Sequence, residues 1–75
     1  MKKYYNFTVI IEKEDKGGFH AFCPALSGCH TQGETFEETV NNIEDAIKLY
    51  LESLVAHNEP LPEEDIIIKP LRVAL

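Results

Sequence analysis

The residues whose side chains could carry chemistry are concentrated between positions 20 and 30. This stretch, HAFCPALSGCH, holds two histidines and two cysteines, and five residues separate Cys23 from Cys29. Cysteine and histidine are common zinc ligands, a cysteine pair can form a disulfide, and a cysteine beside a histidine can act as a nucleophile. The sequence therefore raises three chemical hypotheses for one short segment.

None of the three is favoured, although the separation of Cys23 and Cys29 at the ends of a turn could suit a disulfide geometrically. Structural zinc sites usually separate paired cysteines by about two to four residues, and His20 and Cys23 would point to opposite faces of a regular strand. A stable disulfide does not suit a cytoplasmic protein, the compartment expected here. No third residue is obvious that would orient a His–Cys pair. We therefore expect two small apolar cysteines at strand ends, with no catalytic role, no metal and no cofactor.

The other residues of this region are typical of turns and caps. Glycine permits backbone conformations that other residues avoid, and proline ends a strand because it lacks a ladder donor. Thr35 can cap a helix, and Glu38 follows three residues later as in a capping box. Gly33 would free the chain to enter that helix. We assign structural roles to Gly18, Cys23, Pro24, Gly28, Cys29, Gly33 and Thr35.

Three strands, one helix and a last strand are predicted around these turns. Residues 4–14 alternate in polarity, residues 19–23 close a hairpin with them, and residues 29–33 form a short third strand. Residues 35–57 predict an amphipathic helix whose apolar face is formed by Phe36, Val40, Ile43, Ile47, Tyr50 and Leu54. The predicted fold is α+β with the order β-β-β-α-β: a three-stranded antiparallel meander, one packed helix and a C-terminal strand.

The C-terminal strand is predicted over the last ten residues, IIIKPLRVAL. Pro70 interrupts it, which is typical of an edge strand. The core of so short a chain is small and favours a staple or a partner. We therefore expect this strand to pair with another copy of the chain in a dimer or tetramer, through Ile66, Ile67, Ile68, Pro70, Leu71 and Val73.

Length and charge limit the classes of partner. The 75 residues suit one domain, residues 1–75, and 13 acidic against seven basic residues give a net charge of −6. This sign argues against nucleic acid or an anionic membrane as partner, and it suits a basic protein. The sequence shows no cleavable leader and no apolar run of about 20 residues. A cytoplasmic protein is the expectation.

Three motifs follow one another along the chain: Gly18-Phe19, then Cys23-Pro24-Ala25-Leu26-Ser27-Gly28-Cys29, then Gln32-Gly33-Glu34-Thr35 ahead of an acidic helix. Their order and spacing resemble the HicB-like antitoxin family, and the resemblance covers residues 5–62. It implies a partial ribonuclease-H-like fold. It also implies binding of a small basic HicA-type RNA-cleaving toxin, which the antitoxin occludes.

Two further expectations follow from this resemblance. Many family members carry a C-terminal DNA-binding domain, for which a chain ending at Leu75 has no room, so we expect no direct DNA binding. Single-domain members can be orphans, and the alternative function is then a stand-alone domain that self-associates without a toxin. A weaker third hypothesis is a vestigial enzyme with a bound metal.

The acidic residues are interpreted as a partner surface rather than a nuclease site. A ribonuclease-H site needs converging carboxylates that hold two metal ions, and no convergent set is visible in the sequence. The chain is therefore expected not to be an enzyme. The candidate partner-binding residues form one hairpin cluster and one helix cluster: Glu12, Glu14 and Asp15, and Glu37, Glu38 and Asp45.

Overall fold

The fold is a three-stranded sheet covered on one face by one helix. The structure is a computed structural model that describes residues 3–75. The elements are β1 (Ile10–Lys13), β2 (Phe19–Phe22), β3 (His30–Gly33) and α1 (Phe36–Ala56). The strands are antiparallel in the order β1-β2-β3, and α1 packs mainly on β3 and then on β2. The predicted α+β class, the meander and the single helix are confirmed.

The core lies between the helix and the odd-numbered residues of β2. Ala21 is fully buried there, whereas His20 and Phe22 lie on the opposite face of the sheet. The loop after β2 folds inward and buries Leu26, which is 1% exposed. The buried apolar core consists of Ala21, Cys23, Leu26, Cys29 and Ile43.

Local hydrogen bonds fix both ends of α1. At the N-terminus, the Thr35 hydroxyl accepts a hydrogen bond from the Glu38 N–H at 3.1 Å. The Glu38 carboxylate reaches the N–H of Glu34 at 3.4 Å, one residue before the position a capping box predicts. At the C-terminus, Asn58 adopts a positive φ of 56° and the Glu59 N–H bonds the Leu54 carbonyl at 2.9 Å. This left-handed residue ends the helix.

Gly33 has a different role from the predicted one. Its backbone is not in the left-handed region, which Gly17, Gly18 and Gly28 occupy. A Cβ at Gly33 would lie 2.7 Å from Thr39 Oγ1 and 2.9 Å from Thr39 N. Thr39 is completely buried. The absence of a side chain at Gly33 therefore lets the first turns of α1 approach the end of β3 closely. The role of this glycine is close packing, and not backbone flexibility.

The predicted strand over residues 66–75 does not form in the single chain. The described elements end with α1, and the predicted strand is an extended segment, called the C-terminal arm below. Ile67 is 90% exposed, Leu71 77% and Val73 75%. Ile66, Ile68 and Pro70 lie in the same exposed arm. Strand assignment requires a ladder partner, and the arm has none among residues 3–75.

The arm also makes the molecule long for its size. The Cα radius of gyration is 14.6 Å and the longest dimension is 49 Å, whereas a compact domain of this length has a radius of gyration of about 11 Å.

The first strand is also shorter than predicted. Residues 3–9, called the N-terminal segment below, precede β1 without joining the sheet. Two extended segments thus lie outside the sheet.

Candidate protein-interaction surfaces

The cysteines and histidines of the opening hypotheses lie on different sides of the sheet. Cys23 and Cys29 are buried in the core and face one another across the loop, with the Cys23 N–H bonded to the Cys29 carbonyl at 3.0 Å. His20 and His30 lie on the other face, beside Phe22. Within residues 3–75, no three His, Cys, Asp or Glu side chains form a group that could hold a metal. The geometry does not bring the four side chains together for joint chemistry.

Burial also makes the thiols poor nucleophiles. Desolvation raises the pKa of Cys23 and of Cys29 above the usual thiol value. The reactive form of cysteine is the thiolate, which a raised pKa disfavours. Both side chains therefore act as small apolar residues of the core, as the sequence suggested.

The first hairpin carries an ion-pair cluster on the face away from α1. His20 lies between two carboxylates: its Nε2 is 3.0 Å from Glu12 Oε1 and its Nδ1 is 2.9 Å from Glu14 Oε1. A carboxylate only accepts hydrogen bonds, and only the imidazolium form of histidine donates from both nitrogens. The geometry is therefore that of a protonated His20.

The surroundings of His20 favour that charged form. The hydrogen bond to Glu12 raises the pKa of His20 most, the bond to Glu14 and the charges of both carboxylates add to it, and desolvation opposes them. Glu12 and Glu14 are thus partly neutralised by an internal cation. The acidic character of this hairpin increases as the pH rises through the folded-state pKa of His20.

An open depression at one end of the molecule joins the two acidic clusters. It measures about 610 Å³ and is lined by Glu14 and Lys16 from the hairpin and by Glu34 and Glu38 from the start of the helix. An edge-to-face contact between Phe19 and Phe36 lies at the same end, with ring centroids 6.2 Å apart. The fold therefore brings Glu14 and Glu38 to one surface, although they are distant in sequence.

The other predicted partner residues lie around or away from this depression. Glu12 is on the open face of the sheet, Asp15 is in the hairpin turn and Glu37 is exposed in the first helical turn. Asp45 lies seven residues beyond Glu38, about 10 Å along the helix. The structure therefore does not place Asp45 with the acids of the depression.

Sequence reasoning missed three residues of this surface. Glu34 and Lys16 line the depression, and His20 bridges two of the predicted acids. Glu34 could have been recognised because it immediately precedes the helix cap. Without the hairpin register, however, the sequence did not reveal that His20 lies opposite Glu12.

A second surface is an apolar groove beside β1. Because α1 packs on β3 and β2, the side of β1 that faces the helix is left partly open. The groove measures about 330 Å³. Its lining combines the N-terminal segment and β1 with one face of the helix: Tyr5, Phe7, Val9 and Ile11, and Val40, Ile43, Glu44 and Ile47. The four lining residues from the N-terminal segment and β1 lie on one face of that stretch, as its alternating polarity predicted.

The backbone of β1 is also open at its outer edge. The Glu14 N–H bonds the Gly18 carbonyl, and the register pairs Glu12 with His20 and Ile10 with Phe22. Backbone groups alternate in direction along a strand, so the even-numbered residues of β1 point toward β2. The N–H and C=O groups of the odd-numbered residues, such as Ile11, point away from the sheet and are free to pair.

Comparison with known proteins identifies the family. A model of the HicB-like antitoxin of bacterial toxin–antitoxin systems matches residues 7–72. The UPF0150 protein ssr1765 of Synechocystis sp. is 60% identical over 72 residues, covering 96% of this chain and 91% of that protein. A UPF0150 protein of Thermoplasma acidophilum, Ta0767, is 48% identical over 59 residues, covering 79% of this chain and 86% of that one.

A solved structure shares the fold. A chain of a HicA3 and HicB3 toxin–antitoxin complex matches with a TM-score of 0.63 and 31% sequence identity. The match covers 77% of this chain and 66% of that chain, so the protein in the complex is longer. No helix among residues 3–75 has the length and apolarity needed to cross a bilayer. The extent of the family match and the identities to its relatives show that this chain belongs to the HicB-like antitoxin family.

Proposed function

We propose that this chain is an antitoxin that binds a small basic HicA-type toxin and prevents RNA cleavage by covering the toxin's active site. The observation that carries the proposal is the family membership, together with the likeness to a chain of a HicA3 and HicB3 complex. In this proposal the chain acts by binding alone and catalyses nothing.

Charge supports this choice of partner. The chain has a net charge of −6, and complementary potentials accelerate association with a basic protein. We place the centre of the contact at the depression where Glu14, Glu34 and Glu38 come together. The surrounding predicted residues Glu12, Asp15, Glu37 and Asp45 would extend the acidic surface around it.

Co-expression with any small basic protein encoded beside this gene tests the proposal. We expect the two proteins to co-purify and RNA cleavage by the basic protein to be suppressed. The purified chain alone should leave the RNA intact. Replacing Glu14, Glu34 and Glu38 together by glutamine should weaken the complex about tenfold or more, because close charge pairs in interfaces couple by about 1.5 kcal/mol or more.

A second triple variant controls for the loss of charge alone. Glu52, Glu59 and Glu63 are exposed near the other end of the helix, and their replacement by glutamine removes the same number of charges. We expect this variant to bind the basic protein nearly as well as the wild type. Equal weakening by both triple variants would refute the assignment of the contact surface. Active RNA cleavage in the presence of a stable complex would refute occlusion.

The second candidate function is self-association without a toxin. The observation that favours it is the exposed C-terminal arm, in which Ile67, Leu71 and Val73 are each at least three-quarters exposed. Contiguous exposed apolar side chains mark interaction sites. Sedimentation of the isolated chain measures this directly, and a monomer at all accessible concentrations would exclude it.

A further inference from the structure

The N-terminal segment and the C-terminal arm are two extended segments whose N–H and C=O groups form no hydrogen bonds with other backbone groups of residues 3–75. Within residues 3–75, no backbone–backbone hydrogen bond involves the N-terminal segment or the C-terminal arm. Both segments carry large exposed apolar side chains, for example Tyr5 at 52% and Ile67 at 90%. Extended apolar chain with unpaired backbone groups is a template for strand addition.

The N-terminal segment continues directly into the open edge of β1. Together they form one extended stretch, residues 3–13, whose outward backbone groups belong to odd-numbered residues such as Val9 and Ile11. The apolar groove lies along the same stretch, between it and α1. A strand added at this edge would therefore gain both a hydrogen-bond ladder and an apolar surface beside it.

The C-terminal arm matches this edge in length and composition. Its ten residues span about 33 Å when extended, the same as ten residues of the opposing stretch. The alternating side chains are mainly apolar on both faces of the arm: Ile66, Ile68 and Pro70 lie on the face that also holds Arg72, and Ile67, Leu71 and Val73 lie on the face that also holds Lys69. Apolar side chains would therefore lie over the groove for either direction of the added strand.

The arm also matches the edge in charge. It holds Lys69 and Arg72, two of the seven basic residues of the chain, and none of the 13 acidic residues. The rest of the chain carries all of the acidic residues, and Glu44 lines the groove itself. The basic arm and the acidic remainder of the chain attract one another electrostatically. The surface of a second copy of this protein is therefore a suitable binding site for the arm.

The arm does not cover the body from which it extends. The residues just before the arm pack against the N-terminal segment: the Thr8 N–H donates a hydrogen bond to the Glu64 carboxylate, and Leu61 and Tyr5 line the same groove. Beyond Glu64 the side chains become exposed, and the long axis of the molecule reaches 49 Å. No backbone group of residues 3–75 thus pairs with the outer edge of β1 or with the arm.

We propose that the C-terminal arm of one copy adds as a fourth strand to the β1 edge of a second copy, whose own arm is added in return. Reciprocal exchange closes the assembly as a two-fold dimer and leaves no arm exposed. The proposal deepens the self-association described above, rests on it, and does not require a toxin.

Pro70 determines which residues of the added strand direct their backbone groups toward β1. Proline has no N–H, so in an edge strand its nitrogen must face away from the ladder. Even-numbered residues of the arm then point outward, and the N–H groups of odd-numbered residues, including Ile67, Lys69 and Val73, point toward β1. This alternation is a specific signature that general hydrophobic association would not produce.

Two isoleucine-to-proline variants of the full chain test the proposal. Ile67→Pro removes a ladder donor, whereas its matched control Ile68→Pro removes an N–H that faces solvent. We expect Ile67→Pro to weaken the dimer about tenfold or more and Ile68→Pro to weaken it by about threefold or less. Sedimentation equilibrium measures both values. The arm lies outside the core, so circular dichroism should show a folded domain in each variant.

Amide hydrogen exchange of the wild-type dimer is the second measurement. We expect slow exchange at Ile67, Lys69 and Val73, fast exchange at Ile68 and Arg72, and slow exchange at Val9 and Ile11. A dimer weakened equally by both proline variants, or by neither, would refute arm addition while self-association stands. A monomer with a protected arm would show pairing within one chain, and a monomer with an unprotected arm would refute both self-association and arm addition.

Discussion

The two edges of the sheet differ in how their backbone groups are covered. At the β3 edge, α1 packs closely through the Gly33–Thr39 contact, and the Asn42 side chain donates a hydrogen bond to the outward carbonyl of Gln32 at 3.0 Å. At the β1 edge, no backbone partner is present within the described chain, and an apolar groove lies alongside. One short sheet thus has a closed edge and an open one.

This difference indicates where the protein can accept another chain. Exposed strand edges invite pairing, and proteins block those that are not used. The helix and Asn42 block β3, whereas β1 itself, Ile10–Lys13, carries a protective lysine only at its hairpin end. The open edge is therefore the one at which we place self-association, and the acidic depression at the end of the molecule remains available for a toxin.

Replacing Gly33 by alanine should have the largest effect on the closed edge. The new Cβ would lie 2.7 Å from Thr39 Oγ1 and 2.9 Å from Thr39 N, so the helix must shift from β3. We expect the free energy of unfolding to fall by about 1–3 kcal/mol, the usual cost of overpacking. Urea unfolding measures the loss. Gln32→Ala, at an exposed neighbour in the same strand, should change stability by less than about 0.5 kcal/mol, and equal losses would contradict the packing argument.

Replacing Asn42 by alanine should uncover the β3 edge with a smaller loss of stability than the Gly33 substitution. The substitution removes the hydrogen bond to the Gln32 carbonyl, which we expect to be worth about 0.5–1.5 kcal/mol. Alanine also raises helix propensity, and Asn41→Ala at the adjacent exposed position corrects for that gain. The stability difference between the two variants is the quantity to measure. If Asn42→Ala is as stable as Asn41→Ala, the amide does not hold the closed edge.

The smallest effect concerns the hairpin that supports the open edge. Glu12 and Glu14 raise the pKa of His20 above 6.5, so the folded state holds the proton more tightly than the unfolded chain. The resulting stabilisation is fully present below the unfolded pKa and is lost as the pH rises through the folded pKa. The stability advantage of wild type over His20→Gln should therefore be largest below pH 6.5 and shrink as the pH is raised through the folded-state pKa of His20.

Chemical unfolding of both proteins across this pH range measures the change. His30→Gln is the matched control, since His30 lies on the neighbouring strand and forms no ion pair within residues 3–75. We expect its stability to follow that of the wild type across the range. A constant difference between wild type and His20→Gln would show that the two carboxylates do not hold the imidazolium.

Local patterns predicted the elements whose partners are close in sequence. The helix was predicted over residues 35–57 and found at Phe36–Ala56, because the cap Thr35 and the apolar spacing lie within the element itself. The hairpin was predicted between residues 4–14 and 19–23, and the turn that joins its strands contains Gly17 and Gly18, both of which take positive φ. The C-terminal strand failed as a prediction for the single chain because strand propensity does not supply a partner.

The candidate sites depended more on long-range geometry. The charge pattern selected Glu14 and Glu38 but placed Glu38 in one cluster with Asp45, since sequence alone does not show which acids meet at one end of the fold. It also missed Glu34, Lys16 and His20, whose places follow from the hairpin register and the packing of α1. The residue-level assignment of the toxin contact remains a prediction.

The sequence by itself determined the α+β order, the ends of the helix, the acidic surface and the apolar character of the last ten residues, because each of these is encoded in neighbouring residues. Only the tertiary structure decided which edge of the sheet stays open. That outcome depends on where α1 docks, and docking is set by the close approach of Thr39 to Gly33 and by the reach of Asn42 to Gln32. These contacts depend on how the helix lies across the sheet, and a pattern of residue types does not specify that placement.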